Sequence, residues 1–241
     1  NLFTFSWGTV NNNSWLYISS DINFLTWALY NDWTLSTSQN AYIRNYSTVY
    51  NNKSFLVSWD LTVLNWGNIS HEVATSTAFN LIVWWTLTID VWAKIDTSSK
   101  WTSTTWYWDQ YTWASHWGYW VPNSRAPYGD IYNPTTVWSY WQNSSRAWGW
   151  LVRMTVWNLV NSWSILANWR DNSRGGWAWG SINITVNWLL SWSWIYQAIW
   201  WTSSQGYPWA WGRIAIKYWS VFNLTTLKSK ISATWPWYAW E

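Results

Sequence analysis

The chain has 241 residues, with 13 Lys and Arg against 10 Asp and Glu, two His and no Cys. This length suits one domain, and the scattered charges argue against a nucleic-acid-binding stripe or a basic membrane-binding helix. Without Cys, and with only two His, neither a thiolate metal site nor a multi-His cluster can form, so we expect no metal and no cofactor. The longest apolar run, at 81–87, is too short to span a bilayer.

Residues 1–58 carry only weak strand signals, of which the clearest is the stretch 14–27. Two firmer strand regions follow at 59–70 and 84–96, where aliphatic residues alternate with polar ones before a Trp. We expect residues 1–58 to form irregular N-terminal coils or a cap, and residues 225–241 to form a C-terminal cap or link, because repeat proteins shield their terminal edges.

Internal repetition is the strongest signal in the chain. The triplet AWG occurs at 147–149, 178–180 and 210–212, a nearly constant spacing, and an alternating apolar run follows each copy. Each run ends at a tryptophan: Trp157, Trp188 and Trp219. Periods of about 20 to 50 residues are typical of repeat architectures. Alternation without a helical pattern predicts an all-β chain.

Strand units that recur without helices must bury their apolar faces against one another. A single-stranded parallel β-helix, or β-solenoid, does this by stacking coils. We expect one over residues 59–224, with a pair of coils about every 31 residues and a loop insertion at 97–146. In the alternative, a β-sandwich, the strands would pair antiparallel, and near-identical repeats would not be expected.

Tryptophan is unusually abundant, with 35 residues against 10 Gly. Many of these tryptophans stand where a chain turns, although turns favour Gly, Asn, Asp, Ser and Pro. Reading every Trp as Gly restores regular corners, because Gly accepts positive φ and the close approach of adjacent coils. We hypothesise that the source cell reads UGA as glycine, whereas the printed sequence translates it as tryptophan. Alternatively, the indoles are genuine and contact sugars in a Trp-rich carbohydrate-binding β-sandwich.

With Gly read for Trp, three segments follow simple glycine-rich patterns. They are WTLTIDVWAKID (85–96), LSWSWI (190–195) and WGRIAIKYW (211–219). Together they resemble the glycine-rich parallel β-helix repeats of large bacterial surface proteins, of the adhesin and autotransporter-passenger kind. The resemblance covers residues 59–224 and implies a secreted or cell-surface location. It also implies contacts with surface glycans or with host or neighbouring cells.

Charged side chains gather in three loops, at 97–146, 168–177 and 201–209. A constant repeat period would place these loops side by side at equivalent corners, and paired carboxylates are what glycosidic cleavage requires. The candidate ligand-binding loop face consists of Asp109, Arg125, Tyr128, Asp130, Arg146, Arg170, Asp171, Arg174, Gln205 and Tyr207.

These patterns favour a non-enzymatic scaffold or adhesin segment, in which the loop charges terminate strands and protect coil edges. The alternative is a polysaccharide-cleaving β-helix enzyme, which would gather its acids and bases into one groove. We assign no catalytic residue, and we expect neither a nucleic-acid partner nor a membrane span in this segment. No signal peptide and no initiator Met are present, so we expect a mature or excised piece of a longer chain.

Overall fold

The structure is a computed structural model. It describes residues 2–6, 8–25, 28–44, 46–72, 79–98, 151–168, 180–192, 195–198, 213–221, 229 and 231–232. Most of these residues lie in β-strands, and every pairing between two described strands is parallel. The prediction of an all-β chain is confirmed. The antiparallel pairing expected of a β-sandwich is not found among the described strands.

The strands form two sheets. Sheet A contains eleven strands: β1 (Leu2–Ser6), β3 (Leu16–Ile18), β4 (Asp21–Leu25), β6 (Leu35–Thr37), β7 (Ala41–Ile43), β9 (Ser54–Val57), β10 (Leu61–Val63), β12 (Phe79–Ile89), β14 (Leu151–Asn161), β16 (Ser181–Trp192) and β18 (Arg213–Val221). Sheet B contains eight: β2 (Thr9–Asn12), β5 (Ala28–Asn31), β8 (Thr48–Asn51), β11 (Asn68–Ser70), β13 (Lys94–Asp96), β15 (Ser164–Leu166), β17 (Ile195–Gln197) and β19 (Ile231–Ser232).

The chain passes between the sheets, and each return adds the next parallel strand to a row. β1, β4, β7 and β10 form one row of sheet A, and β3, β6 and β9 form a second row. The long strand β12 joins the two rows, because its first half pairs with β9 and its second half with β10. A register shift between Val83 and Thr86 separates the two halves. β14, β16 and β18 then continue both rows.

The sequence interval between neighbouring strands changes along the chain. Ala41 pairs with Leu61, whereas Leu159 pairs with Leu190, so the interval is clearly longer in the later strands. One AWG-bearing repeat unit spans this longer interval and advances each row by a single strand. The predicted pair of coils per repeat unit is wrong, since one unit makes only one passage through both sheets.

Residues 2–57 contribute nine strands to the two sheets at the shorter interval, six to sheet A and three to sheet B. Leu2 pairs with Asp21, and Ile22 pairs with Ala41, so nearly the same spacing recurs from strand to strand. The sequence analysis did not anticipate this regularity in the N-terminal region. The domain boundaries after residues 58 and 224 stay predictions.

Apolar side chains from alternate positions fill the space enclosed by the sheets. In β14, for example, Val152, Met154 and Val156 are buried while Arg153 is exposed. Burying each such side chain stabilises the fold by about 1.5–3 kcal/mol. The large aromatic side chains of this core are Phe24, Phe55, Phe79 and Tyr196. No tryptophan with a described side chain belongs to it.

A column of buried asparagines runs along one inner corner, where sheet B strands end. Asn12 Nδ2 donates to Asn31 Oδ1 at 2.7 Å, and Asn31 Nδ2 donates to Asn51 Oδ1 at 2.8 Å. Asn51 Nδ2 in turn donates to the backbone oxygen of Asn80 at 2.9 Å. Buried amides need such partners, since an unpaired one costs about 1–3 kcal/mol. The column therefore locks the register of neighbouring strands.

The strand predicted within 84–96 ends earlier than expected. β12 stops at Ile89, and Val91 lies exposed in a turn rather than in the alternating strand. The amide of Ala93 donates to the oxygen of Asp90 at 3.1 Å, which closes this turn, and Trp92 has a positive φ of 64°. The turn interrupts the alternation, because its backbone no longer follows the pleat of a strand.

Candidate functional site

The predicted loop face falls outside the described part of the chain. All ten of its members lie there: Asp109, Arg125, Tyr128, Asp130, Arg146, Arg170, Asp171, Arg174, Gln205 and Tyr207. Their grouping into one face stays a prediction.

The residues that flank these loops do lie side by side. The segments 99–150, 169–179 and 199–212 each lead from a strand of sheet B to a strand of sheet A. On the side where they leave, the amide of Thr97 donates to the oxygen of Leu166 at 2.9 Å, and β15 pairs in the same way with β17. The three segments thus begin on neighbouring strands.

They also end on neighbouring strands. Leu151 pairs with Ser181, and Ser181 pairs with Arg213. The guanidinium of Arg213 is buried against Ser181 Oγ, with Nη2 at 2.9 Å and Nε at 3.2 Å from it. Gly180 lies directly before the strand that begins at Ser181. A Cβ on Gly180 would stand 1.9 Å from the backbone oxygen of Ala167, so this position requires glycine.

One group of polar residues caps the start of successive sheet A strands. Asp21 Oδ1 accepts the backbone amide of Asn40 at 2.9 Å, and Asn40 Oδ1 accepts the amide of Asp60 at 3.1 Å. Asp60 Oδ1 accepts the amide of Thr86 at 2.9 Å. Sequence reasoning missed this column. The available signal was an Asp or Asn before an apolar alternation at positions 21, 40 and 60, which are almost evenly spaced.

A second acidic group lies beside the asparagine column. Asn52 Nδ2 donates to Asp32 Oδ1 at 2.6 Å and also to Glu72 Oε2, while Asn52 Oδ1 accepts the amide of Glu72 at 2.8 Å. Nearby, Tyr30 and Tyr50 stack with ring centroids 4.7 Å apart. Partial burial, followed by the neighbouring Tyr30 and Glu72, raises the pKa of Tyr50 above its ordinary value.

The remaining described carboxylates, those of Asp90 and Asp96, accept hydrogen bonds from residues close to them in the chain. Asp90 Oδ1 accepts the amide of Val91 at 2.7 Å. Asp96 Oδ1 accepts the amide of Ser98 at 3.0 Å, and its Oδ2 pairs with Lys94 Nζ at 2.8 Å. Every described acidic side chain therefore accepts a hydrogen bond from its own chain.

The corner between sheet A and sheet B carries a largely exposed aromatic column, called column 1, of Tyr46, Trp66, Trp92 and Trp163. The rings of Tyr46 and Trp66 stack at 6.1 Å with planes 7° apart, and those of Trp66 and Trp92 at 5.3 Å and 6°. Trp163, which is half-buried, contacts Trp92 at 4.2 Å with the planes tilted by 45°. Tyr46, Trp66 and Trp92 all have positive φ, between 63° and 64°.

A second exposed column, column 2, follows the junction between the two rows of sheet A. It consists of Trp59, Trp85, Trp157 and Trp188. The rings of Trp85 and Trp157 lie 6.4 Å apart at 8°, and those of Trp157 and Trp188 lie 6.2 Å apart at 5°. Trp59 meets Trp85 at 6.4 Å with a 46° tilt. This column coincides with the register shifts of the long strands.

The indoles project outward from these corners. At the described positions the large side groups find room outside the sheets, because ten of the eleven described indoles are exposed, from 39% at Trp157 to 78% at Trp219. A sugar stacks on a free aromatic face, but the rings of Trp66 and Trp157 are each stacked between two neighbours, and those of Trp92 and Trp85 are each stacked on one side. The columns therefore offer ring edges rather than a flat platform.

Within the described ranges, no group of three or more His, Cys, Asp or Glu side chains could hold a metal ion. In that same part of the chain, no helix has the length and apolar character needed to cross a bilayer. Comparison of the chain with family models, curated proteins and solved structures gives no match.

Proposed function

We propose that the chain is a single-stranded parallel β-helix that acts as a rigid, non-enzymatic scaffold or adhesin segment of a secreted or cell-surface protein. The recurring passage between the two sheets supports this winding, because each passage adds one parallel strand to every row. A stack of this kind grows along one axis, and each unit contacts only its neighbours. Such a stalk suits the display of loops at a distance from a surface.

One observation supports a scaffold most directly: every described carboxylate accepts a hydrogen bond from its own chain. Asp21, Asp60 and Asp90 hold backbone amides, and Asp32 and Glu72 share the amide of Asn52. A catalytic acid or base must instead reach a substrate proton. Asp21 and Asp60 connect successive units, and Asp90 and Asp96 bind residues of their own turns. Asp32 and Glu72 lie close together, but Asn52 Nδ2 is bound between them.

The resemblance to glycine-rich repeats of bacterial surface proteins supports the location and the partner class. Proteins that contact surface glycans or neighbouring cells present their binding residues on loops held by a rigid framework. We propose that the loops 97–146, 168–177 and 201–209 make these contacts, since the described residues that flank them are neighbours.

The neighbouring positions of the residues that flank the three loops also support a second candidate, a polysaccharide-cleaving enzyme. Asp109, Asp130 and Asp171 belong to loops whose flanking residues lie on adjacent strands. An enzyme of this class needs two carboxyl groups within about 5–10 Å of each other, flanking the scissile bond.

A binding assay and a cleavage assay on the same protein separate the two candidates. We expect the full chain to bind immobilised glycans or cell-surface material and to release no new reducing ends from a panel of polysaccharides. Steady release of reducing ends that is lost in the Asp109→Asn, Asp130→Asn and Asp171→Asn variants would establish the enzyme and contradict the scaffold. The matched control is Asp90→Asn, which alters a turn of the described framework.

A further inference from the structure

The backbone at the corner that carries column 1 suits glycine. Gly8 lies between β1 and β2 with a φ of 100°, and Trp66 and Trp92 lie at the same corner between later strands with a φ of 64°. The left-handed region is a genuine outlier for a bulky side chain, and glycine enters it without steric cost. Tyr46 shares this conformation with a φ of 63°. The corner therefore imposes the left-handed conformation even on a bulky residue that disfavours it.

The environment of the indoles is equally unusual. Tryptophan is highly buried on average in folded proteins, yet the described core is built from Phe, Tyr and aliphatic residues. Outside the core, columns 1 and 2 each line up four aromatic side chains along neighbouring strands. Large exposed apolar patches promote association unless a partner covers them.

Glycine at these positions removes both features together. The positive φ values of positions 66 and 92 become unstrained, and the exposed indoles of both columns are absent. The neighbouring Gly67 shows how tight this corner is, because a Cβ on it would stand 2.7 Å from the backbone oxygen of Leu64 in the same turn and 3.0 Å from that of Ile43 on the next strand.

We infer that Trp66 and Trp92, together with the exposed tryptophans of both columns, are glycines in the protein made by the source cell. That cell reads as glycine the codon that the printed sequence translates as tryptophan, and UGA is the codon that can carry both meanings. The corners of the native stack are then bare, and its outer surface carries no indole columns. This inference stands apart from the proposed scaffold role, since a scaffold or an enzyme could be built either way.

Mass spectrometry of the natively produced protein tests the inference directly. The tryptic peptide that follows Lys53 and ends at Lys94 contains positions 59, 66, 84, 85 and 92. We expect its fragment spectrum to place glycine at 66 and 92, and the intact protein to be lighter than the 28.9 kDa of the printed sequence by the mass difference between Trp and Gly at every position read as glycine. Tryptophan at 66 and 92 in the native peptide would overturn the inference.

A recombinant pair supplies a second, independent readout. One full-length chain carries the printed tryptophans and the other carries glycine at all 35 of these positions. We expect the glycine chain to sediment as a folded monomer at concentrations at which the tryptophan chain self-associates. A glycine chain that fails to fold, beside a folded and monomeric tryptophan chain, would contradict the inference. A loss of glycan binding in both chains would instead count against the proposed function alone.

Discussion

Columns of like residues run along the strands in two opposite environments. Inside, Asn12, Asn31 and Asn51 exchange side-chain hydrogen bonds at 2.7 and 2.8 Å in a buried corner. Outside, the indoles of Trp85, Trp157 and the other members of column 2 stack at 6.2 to 6.4 Å with their edges in solvent. Stacking of equivalent positions produces both columns, but only the interior one pairs polar groups that are buried away from water.

Repetition alone does not reveal which positions stabilise the packed strands. A repeated interior residue is constrained by packing and by hydrogen bonding, so its replacement leaves a void or an unpaired group. A repeated exterior residue loses only a partly solvated contact. Substitutions at matched interior and exterior positions should therefore separate clearly in their effects on the free energy of unfolding.

The largest expected difference is between two aromatic truncations. Phe55→Ala should lower the free energy of unfolding by about 3–5 kcal/mol, because Phe55 is fully buried and packs edge-on against Phe24 at 6.0 Å. Trp157→Ala, on the exposed column, should cost about 1 kcal/mol. Urea denaturation of both variants measures the difference, and equal losses would break the distinction between interior and exterior columns.

The next effect concerns the asparagine column. Asn31→Ala should lower the free energy of unfolding by about 2–4 kcal/mol. It leaves the Nδ2 donor of Asn12 and the Oδ1 acceptor of Asn51 buried without their partner in the column. Asn11→Ala changes an exposed side chain on the same strand as Asn12 and should stay within about 0.5 kcal/mol of the parent. A loss of similar size in both variants would mean that the column is not the source of the stability.

The buried phenol of Tyr196 should make the free energy of unfolding depend on pH in the alkaline range. Burial raises the pKa of this phenol above its ordinary value and outweighs the side chain of Asn161, which lowers it. The unfolded phenol ionises near its ordinary pKa while the folded one keeps its proton. The stability is therefore present below about pH 10 and is lost above it, at about 1.4 kcal/mol per pH unit.

Tyr196→Phe removes this titration. Its unfolding free energy should fall less steeply than that of the parent between about pH 10 and 11.5, because Phe has no group that ionises on unfolding. Unfolding titrations at several pH values measure both slopes. Identical slopes would show that this phenol does not ionise on unfolding. Tyr50, whose pKa is also raised, remains in both proteins as a common background.

The smallest effect distinguishes two positions within the exterior columns. At position 66, where φ is 64°, Gly should be more stable than Ala by about 1 kcal/mol, because only Ala is strained there. At position 157, inside β14 and without positive φ, Gly should be less stable than Ala by about 0.5–1 kcal/mol. Comparing Trp66→Gly with Trp66→Ala, and Trp157→Gly with Trp157→Ala, removes the lost indole from each comparison. The same sign at both positions would contradict the backbone explanation.

Much of the strand content could be predicted from the sequence, because alternation depends only on the two-residue pleat. Val152, Met154 and Val156 are buried as the pattern indicated. The shorter interval of the N-terminal strands could not be recognised, since Asp21, Asn40 and Asp60 share chemistry but no common triplet. The outward direction of the indoles was also unpredictable, because it depends on corner dihedral angles that periodicity does not encode. The predicted loop residues, such as Asp109 and Asp130, lie outside the described residues, so their placement is untested.

Distances between spin labels test the proposed winding most directly, and the absence of native Cys allows labels to be attached at single engineered positions. One outward-facing column of sheet A contains Thr4, Asn23, Tyr42, Thr62, Thr88, Val160 and Ser191 in register. Labels at Thr4 and Thr88 are four strands apart, and labels at Thr4 and Ser191 are six. At about 4.8 Å per strand, a continuous β-helix predicts separations near roughly 19 and 29 Å. A separation that does not grow from the first pair to the second would contradict it.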